Sequence, residues 1–318
     1  MERETCNRIC SLIGEYDTII IHRHLNPDGD ALGSQLGLMY IIRENWKDKK
    51  VYIVGDTFDR LSFMYNGKMD EIDDSVYENA LAVVLDSSSD YLISDTRYTK
   101  AARTLRIDHH VFIKRICDEE VVLTEYESAA GIIADWAISS GLNITTDCAR
   151  ALYTGMVTDS VRFMTEKVSP LTMKTASVLI SYPFDRTELF GRLYAEDFSA
   201  LRRKAYFLER VEFLEKDGVA YNYSDLTDIE RMHSSAHSVA RGLVNTMANI
   251  RGADAWIAFA EDDGRILVEL RSRRCDVYPV ALKWGGGGHA KASGCTVSSR
   301  KEAFELLEDV KMEVEKAR

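Results

Sequence analysis

Short, mostly apolar runs punctuate the first half of the chain at residues 18–22, 50–55, 81–86, 104–108 and 120–123. Such runs, flanked by turn residues, predict buried strands of a mostly parallel sheet. Apolar positions recur at helical spacing over 31–43, 128–140, 147–157 and 170–181. Strands and helices interleaved in this way predict an α/β domain with helices flanking the sheet. From 185 to 209 the pattern becomes charged and helical, which predicts a linker. Beyond it, 211–214 and 219–223 predict a hairpin around Lys216-Asp217-Gly218. A second hairpin is predicted from 255–261 and 266–271 around Asp262-Asp263-Gly264. Helices over 236–250 and 300–316 complete a smaller α/β domain with a mixed sheet. The expected division is therefore 1–184, a helical linker 185–209, and 210–318. A length of 318 residues supports two domains at roughly 100–200 residues each.

The chemistry collects where strands end. The first run leads into His24-Leu25-Asn26-Pro27-Asp28-Gly29-Asp30, a Pro/Gly turn carrying one imidazole and two carboxylates. The third run ends in Asp86, the fourth in Asp108-His109-His110, and an apolar helical stretch in Thr158-Asp159-Ser160. Ligands of open α/β sheets bind beyond the carboxyl ends of the strands. Asp28, Asp30, Asp86 and Asp159 carry four negative charges, matching two divalent cations, and His24 and His109 can add neutral ligands. Carboxylate with imidazole suits Mn²⁺ better than Mg²⁺, with Co²⁺ as a further substitute. Without cations, the clustered carboxylates would repel one another and some would stay protonated.

These four motifs, in this order, resemble those of the DHH phosphoesterase superfamily, named after the triplet found here as Asp108-His109-His110. The resemblance implies metal ligation by His24, Asp28, Asp30, Asp86, His109 and Asp159, with Asp86 bridging two ions. It further implies that His110 faces the substrate phosphate and that Asp108 supports the histidine pair. Attack by a hydroxide bridging the metals is the expected reaction. Members of the branch considered below often carry Gly-Arg-Phe after the fourth motif, but here Val161 stands at the glycine position before Arg162 and Phe163.

A fifth signal lies at Trp284-Gly285-Gly286-Gly287-Gly288-His289-Ala290-Lys291, preceded by Arg271-Ser272-Arg273-Arg274. Consecutive glycines expose backbone N–H groups, and arginine binds phosphate bidentately. The run lacks the Gly-Lys-Ser/Thr ending of a P-loop and follows a helix, so neither ATP nor NAD is indicated. It resembles the DHH-associated C-terminal domain, which implies substrate binding by Arg271, Ser272, Gly286, Gly287, Gly288 and His289. Length, layout and motifs together resemble the bifunctional oligoribonuclease (nanoRNase) and pAp phosphatase branch. That branch cleaves very short RNA to mononucleotides and removes the 3′-phosphate of 3′-phosphoadenosine 5′-phosphate (pAp). Alternatives are a phosphodiesterase for pApA or cyclic di-AMP, and a non-catalytic nucleotide sensor on the same scaffold.

Charge narrows the partners. The net charge is −11, and the clearest basic cluster is Arg271, Arg273 and Arg274. Proteins that track long nucleic acid present broad basic surfaces. A small substrate with few phosphates, not long duplex DNA, is expected. The six cysteines form no Cys-x-x-Cys pair, no apolar run approaches the ~20 residues of a membrane span, and residues 1–10 lack a signal-peptide pattern. A cytoplasmic monomer or homodimer, without membrane attachment, is the expectation. Cys6 and Cys10, one helical turn apart, fit a buried helix face. His22 is expected to pack beside the site, and His233 and His237 to lie at the surface or against substrate.

Overall fold

A computed structural model describes residues 1–318, which divide into unit 1, Met1–Ala195, and unit 2, Glu196–Arg318. Unit 1 runs α1 (Arg3–Glu15), β1 (Thr18–His22), α2 (Gly29–Asn45), β2 (Lys50–Ile53), β3 (Ala80–Leu85), β4 (Arg103–Asp108), β5 (Glu119–Val122), α3 (Ala129–Ser139), α4 (Thr146–Asp159), α5 (Pro170–Leu179) and α6 (Arg186–Tyr194). Its five strands are all parallel, in the order β2-β1-β3-β4-β5. The chain leaves β1 toward β2 on one side and returns as β3 on the other. The crevice of such a sheet opens where the order reverses, outside the ends of β1 and β3. His24 and Asp28 follow β1, and Asp86 follows β3.

The expected alternation of strand and helix holds only once within the sheet. Of the unit's α-helices, only α2 lies between two strands, while α3, α4 and α5 follow β5. Short 3₁₀ turns make up much of the β2–β3 and β3–β4 connections. The region 185–209, expected as one linker, is the two helices α6 and α7 (Phe198–Glu209), and the boundary between units falls between them. Helix α1 buries Cys6, Ile9, Leu12 and Ile13.

Helix α2 is buried on nearly all sides, which its continuous apolar content permits. Gly29, Gly33 and Gly37 recur one turn apart and lie against α4, with the place of a Gly33 Cβ only 2.6 Å from the Ala151 carbonyl oxygen. From α4, Gly155 closes on the same region. A Cβ there would lie 2.5 Å from the Ala130 Cβ and 2.9 Å from Asp30 Oδ1. Asp30 cannot step aside, because Ala129 and Ala130 donate backbone N–H bonds to it at 2.7 and 2.8 Å. Gly155→Ala is therefore expected to destabilise by about 1–3 kcal/mol, although alanine is the better helix former. Urea denaturation measures the loss; unchanged or increased stability would mean that the helices can part freely.

Unit 2 contains α7, β6 (Val211–Leu214), β7 (Val219–Ser224), α8 (Leu226–Arg231), α9 (Ala236–Leu243), β8 (Ala255–Asp262), β9 (Arg265–Ser272), α10 (Tyr278–Lys283), β10 (Gly287–His289), β11 (Ala292–Val297) and α11 (Arg300–Ala317). The sheet order is β10-β11-β9-β8-β7-β6, with β7 and β8 parallel and the other pairs antiparallel. Alternation along β8 sends Ala255, Ile257 and Phe259 into a core with α10 and α11. Trp256, Ala258 and Ala260 enter a second core with α7, α8 and α9. The glycine run is in part a paired strand. Its last two glycines and His289 form β10, an edge strand paired Gly287↔Gly294, Gly288↔Ser293 and His289↔Ala292. A side chain at Gly288 would meet the Ala292 carbonyl oxygen at 2.6 Å, and its φ of +137° suits only glycine. Close strand pairing thus requires the residue that the phosphate reading also favoured.

Candidate metal centre and phosphate cavity

In unit 1 the four motifs converge. Asp28 caps α2, with Oδ1 accepting from the N–H groups of Asp30 and Ala31 at 2.9 and 3.0 Å. Asp30, in the first turn of α2, accepts from the amino end of α3. Asp86, the residue after β3, lies in the left-handed region at φ +51°, a conformation that costs an L-residue energy and breaks the strand there. Its Oδ2 lies 3.5 Å from His24 Nε2, and its Oδ1 lies 3.4 Å from His109 Nε2. His24 Nε2 is also 3.8 Å from Asp28, and His109 Nε2 is 3.5 Å from Asp159 and 3.9 Å from Asp30. Three overlapping ligand-type groups result, His24-Asp28-Asp86, Asp30-His109-Asp159 and Asp86-His109-His110, and Asp86 belongs to two of them.

The electrostatics are those of crowded carboxylates. Burial, then the charges of Asp86 and Asp159, push Asp30 well above the usual carboxylate range. Burial likewise raises Asp159 to about 6, with Asp86 and Asp28 adding to it against the pull of His109. Burial opposes a charge on Asp86, but the His109 and His24 imidazoles outweigh it and hold the carboxyl low. Burial also opposes a charge on His24, yet Asp28 and Asp86 lift it to about 10. Asp86 Oδ1 and both ring nitrogens of His109 are buried without a hydrogen-bond partner. Orphaned acceptors among like charges are costly unless a cation satisfies them. Oxygen and imidazole donors in this ratio fit divalent ions such as Mn²⁺, Mg²⁺ or Co²⁺.

Asp108 anchors the histidine pair. It is fully buried and accepts from the backbone N–H of His109 at 2.9 Å and from the His110 ring at Nδ1, 2.8 Å away. The His110 bond to Asp108 raises its pKa and leaves Nε2 for another partner. Two residues that the motif reading passed over complete the frame. Arg106, wholly buried, places Nη2 2.6 Å and Nε 3.2 Å from Asp108 Oδ2. Arg23, also wholly buried, pairs with Asp56 at 2.8 Å and donates to the His24 carbonyl at 3.0 Å, fixing the turn that carries His24. The signal for Arg106 was available: Arg106 and Asp108 are two apart on one strand and therefore share a face. Nothing local marked Arg23, whose partner lies 33 residues away. His22 packs as expected, with no exposure, its Nδ1 3.1 Å from the Asp95 carbonyl oxygen; burial lowers its pKa to about 4.

Beyond α4, Val161, Arg162 and Phe163 have successive φ values of +50°, +62° and +62°. This left-handed turn sets the Arg162 guanidinium 4.9 Å from the centre of the Tyr194 ring. A β-branched residue pays heavily for such backbone, and Val161 is half exposed, so its side chain returns little packing. Val161→Gly is expected to stabilise by about 1 kcal/mol. A rise in the urea midpoint checks this, and a fall would mean that the valine side chain outweighs the strain.

In unit 2, Arg271, Gly287, Gly288 and His289 line one cavity of about 570 Å³. Gly286 is not among its walls, and neither is Ser272, whose buried hydroxyl donates to the Cys275 carbonyl at 2.6 Å. The arginine cluster disperses because β9 ends at Ser272 and the chain turns. Arg273 donates to the carbonyls of Ala253 and Ala248, and Arg274 faces Asp254. Lys291 is spent on the carbonyls of Arg274 and Cys275, both at 2.9 Å.

Residues 18–156 match the DHH family, N-terminal domain, and 229–316 match the DHHA1 domain. A bifunctional oligoribonuclease and PAP phosphatase of Bacillus subtilis is 36% identical over 301 residues, covering 94% of this chain and 95% of that protein. A probable bifunctional oligoribonuclease and PAP phosphatase of Streptococcus mutans is 33% identical, covering 95% of this chain and 97% of that one. Among solved structures, an exopolyphosphatase-related protein from Bacteroides fragilis shares the fold, with a TM-score of 0.83 at 24% identity over 98% of this chain and 96% of that one. No helix is long and apolar enough to cross a membrane. With the DHH and DHHA1 domains in order and relatives of this similarity over nearly all of their length, the chain belongs to the DHH family of phosphoesterases, a family of metal-dependent hydrolases.

Proposed function

We propose that this protein hydrolyses very short oligoribonucleotides to mononucleotides and removes the 3′-phosphate of pAp. The observation that carries this reading is the 36% identity to the Bacillus subtilis enzyme of that name over 94% of the chain. His24, Asp28, Asp30, Asp86, His109 and Asp159 would hold two divalent ions, Mn²⁺ in the first instance. The unpartnered Asp86 and His109 atoms support that assignment. When bound, the ions supply charge neutralisation on phosphate oxygens and acidification of water at neutral pH.

The protein's own groups do the rest. Asp108 accepts from Nδ1–H of His110 and favours its protonated form, in which Nε2–H can donate to the substrate phosphate. The Arg106 guanidinium keeps Asp108 ionised and fixed. Arg271, His289 and the edge strand at Gly287 and Gly288 anchor the nucleotide portion through the cavity of unit 2. Gly286 allows the close approach of β11 beside it, and Ser272 shapes the end of β9 through Cys275. Six unpaired cysteines suit a reducing cytoplasm.

Product release with Mn²⁺ from RNA of two, five and twenty-four nucleotides, pAp, pApA and cyclic di-AMP tests the reading. Fast turnover of the dinucleotide and pAp, with little from the longest RNA, is the expected result. Preference for pApA or cyclic di-AMP would transfer the protein to cyclic-dinucleotide clearance. Bound metal without turnover of any of them would overturn the assignment.

A further inference from the structure

The cavity that holds Arg271 and His289 has a second polar wall, which belongs to helix α9. Ala236, Val239, Ala240 and Leu243 are buried and fasten α9 to the sheet. His237 and Arg241, four residues apart on another face, are exposed and line the same cavity. Its volume of about 570 Å³ is that of a small-molecule site and far larger than a single phosphate needs.

The charges are unevenly matched. Glu269, the one carboxylate on these walls, pairs with Arg271 Nη1 at 2.8 Å. The Leu270 carbonyl accepts from the same nitrogen at 2.8 Å. Arg271 is thus locally balanced and held in place, with its remaining N–H groups free to donate. Arg241 meets no carboxylate in the cavity. A guanidinium on a fixed helix, with an imidazole one turn away, presents a fork of donors that suits phosphate.

Resting on the short-oligoribonucleotide reading, we propose that His237 and Arg241 bind a second phosphate in this cavity, beyond the one held by Arg271 and His289. The anchor then takes a segment with two phosphates that are not cleaved, which favours a trinucleotide with a terminal phosphate over shorter substrates.

A ladder of ApA, pApA and pApApA separates the contacts on release of the 3′-terminal nucleotide, because the anchored 5′ segment then carries none, one and two non-scissile phosphates. In the wild type, KM should fall at each step. In the His237→Ala/Arg241→Ala double variant the first step should persist, the second should shrink at least fivefold, and kcat should hold. Arg241→Lys should restore part of the second step by restoring charge. Calorimetric titration of the same ladder into Asp86→Asn protein, with and without the α9 substitutions, reads binding apart from turnover. A second step that survives the double variant, or both steps lost in proportion, overturns the proposal. Turnover of the ladder indifferent to α9 rejects this inference alone. A wild-type protein that neither binds nor cleaves any member rejects the short-oligoribonucleotide reading along with it.

Discussion

Asp86→Asn is expected to lower turnover by at least about 10³-fold, on the order of 4 kcal/mol of barrier, while the protein stays folded. Asparagine is the informative replacement, because it tolerates the left-handed backbone at this position (φ +51°) and keeps the side-chain shape. What it removes is the one charge lying between His24 and His109. The stability effect has a definite sign. In chelator, the substitution relieves repulsion on Asp30 and Asp159 but forfeits the attraction of His109 and His24 that holds the Asp86 carboxyl low, so the variant should melt slightly below the wild type. In Mn²⁺ the gap should widen. A ligand at about 100 times its Kd stabilises by roughly 2.7 kcal/mol, and the variant should lose most of that gain. Melting curves with and without Mn²⁺, alongside metal content and turnover, check both halves. Turnover at the wild-type rate would remove Asp86 from the site. A variant that melts well below the wild type in chelator would make Asp86 a structural residue instead.

Arg106→Leu is expected to cost about 3–5 kcal/mol of stability, the usual penalty for stranding one partner of a buried ion pair. Arg106 and Asp108 have no solvent exposure, and the guanidinium also lies 3.3 Å from Glu120. Burial opposes the Asp108 charge, and the His110 and Arg106 bonds together keep the carboxyl below its usual range. Without Arg106, Asp108 must be protonated or find another donor. Adding Asp108→Asn to Arg106→Leu should recover part of the stability, because no buried charge is then stranded. It should not recover activity, because an amide oxygen holds His110 less firmly than a carboxylate does. Urea denaturation of the two single variants and the double variant measures the coupling. Additive losses would mean that the pair is not a unit. Recovered activity would mean that His110 does not depend on Asp108.

Much of the site could be read from the strand ends. A short, mostly apolar run, followed by a carboxylate or imidazole at a turn, is a local signal, and it singled out His24, Asp28, Asp86, Asp108, His109 and His110. Arg106 carried the same signal but was read as part of an apolar strand, since arginine is seldom wholly buried. The glycine run misled in the other direction. Its composition says only that side chains are absent. Whether that serves a loop or a closely paired edge strand depends on β11, which brings Ala292 and Ser293 against Gly288. The basic cluster Arg271, Arg273 and Arg274 misled for a related reason. Neighbours in sequence part company where a strand ends.

Read without the fold, the sequence carries the α/β class, the positions of β1 to β9 and of most of the longer helices, and the residue types suited to metal and phosphate chemistry. These follow from short-range periodicity and from donor chemistry, neither of which needs the rest of the fold. Tertiary structure decided the partners. It set Asp159 3.5 Å from His109, fifty positions earlier in the chain, and gave Asp30 its hydrogen bonds from the start of α3. It bent Val161 into a left-handed turn and drew His237 and Arg241 to the wall that Arg271 lines. Such contacts are fixed when the strand order reverses beside β1 and the helices close over their glycines, because only packing of the whole unit makes distant residues neighbours.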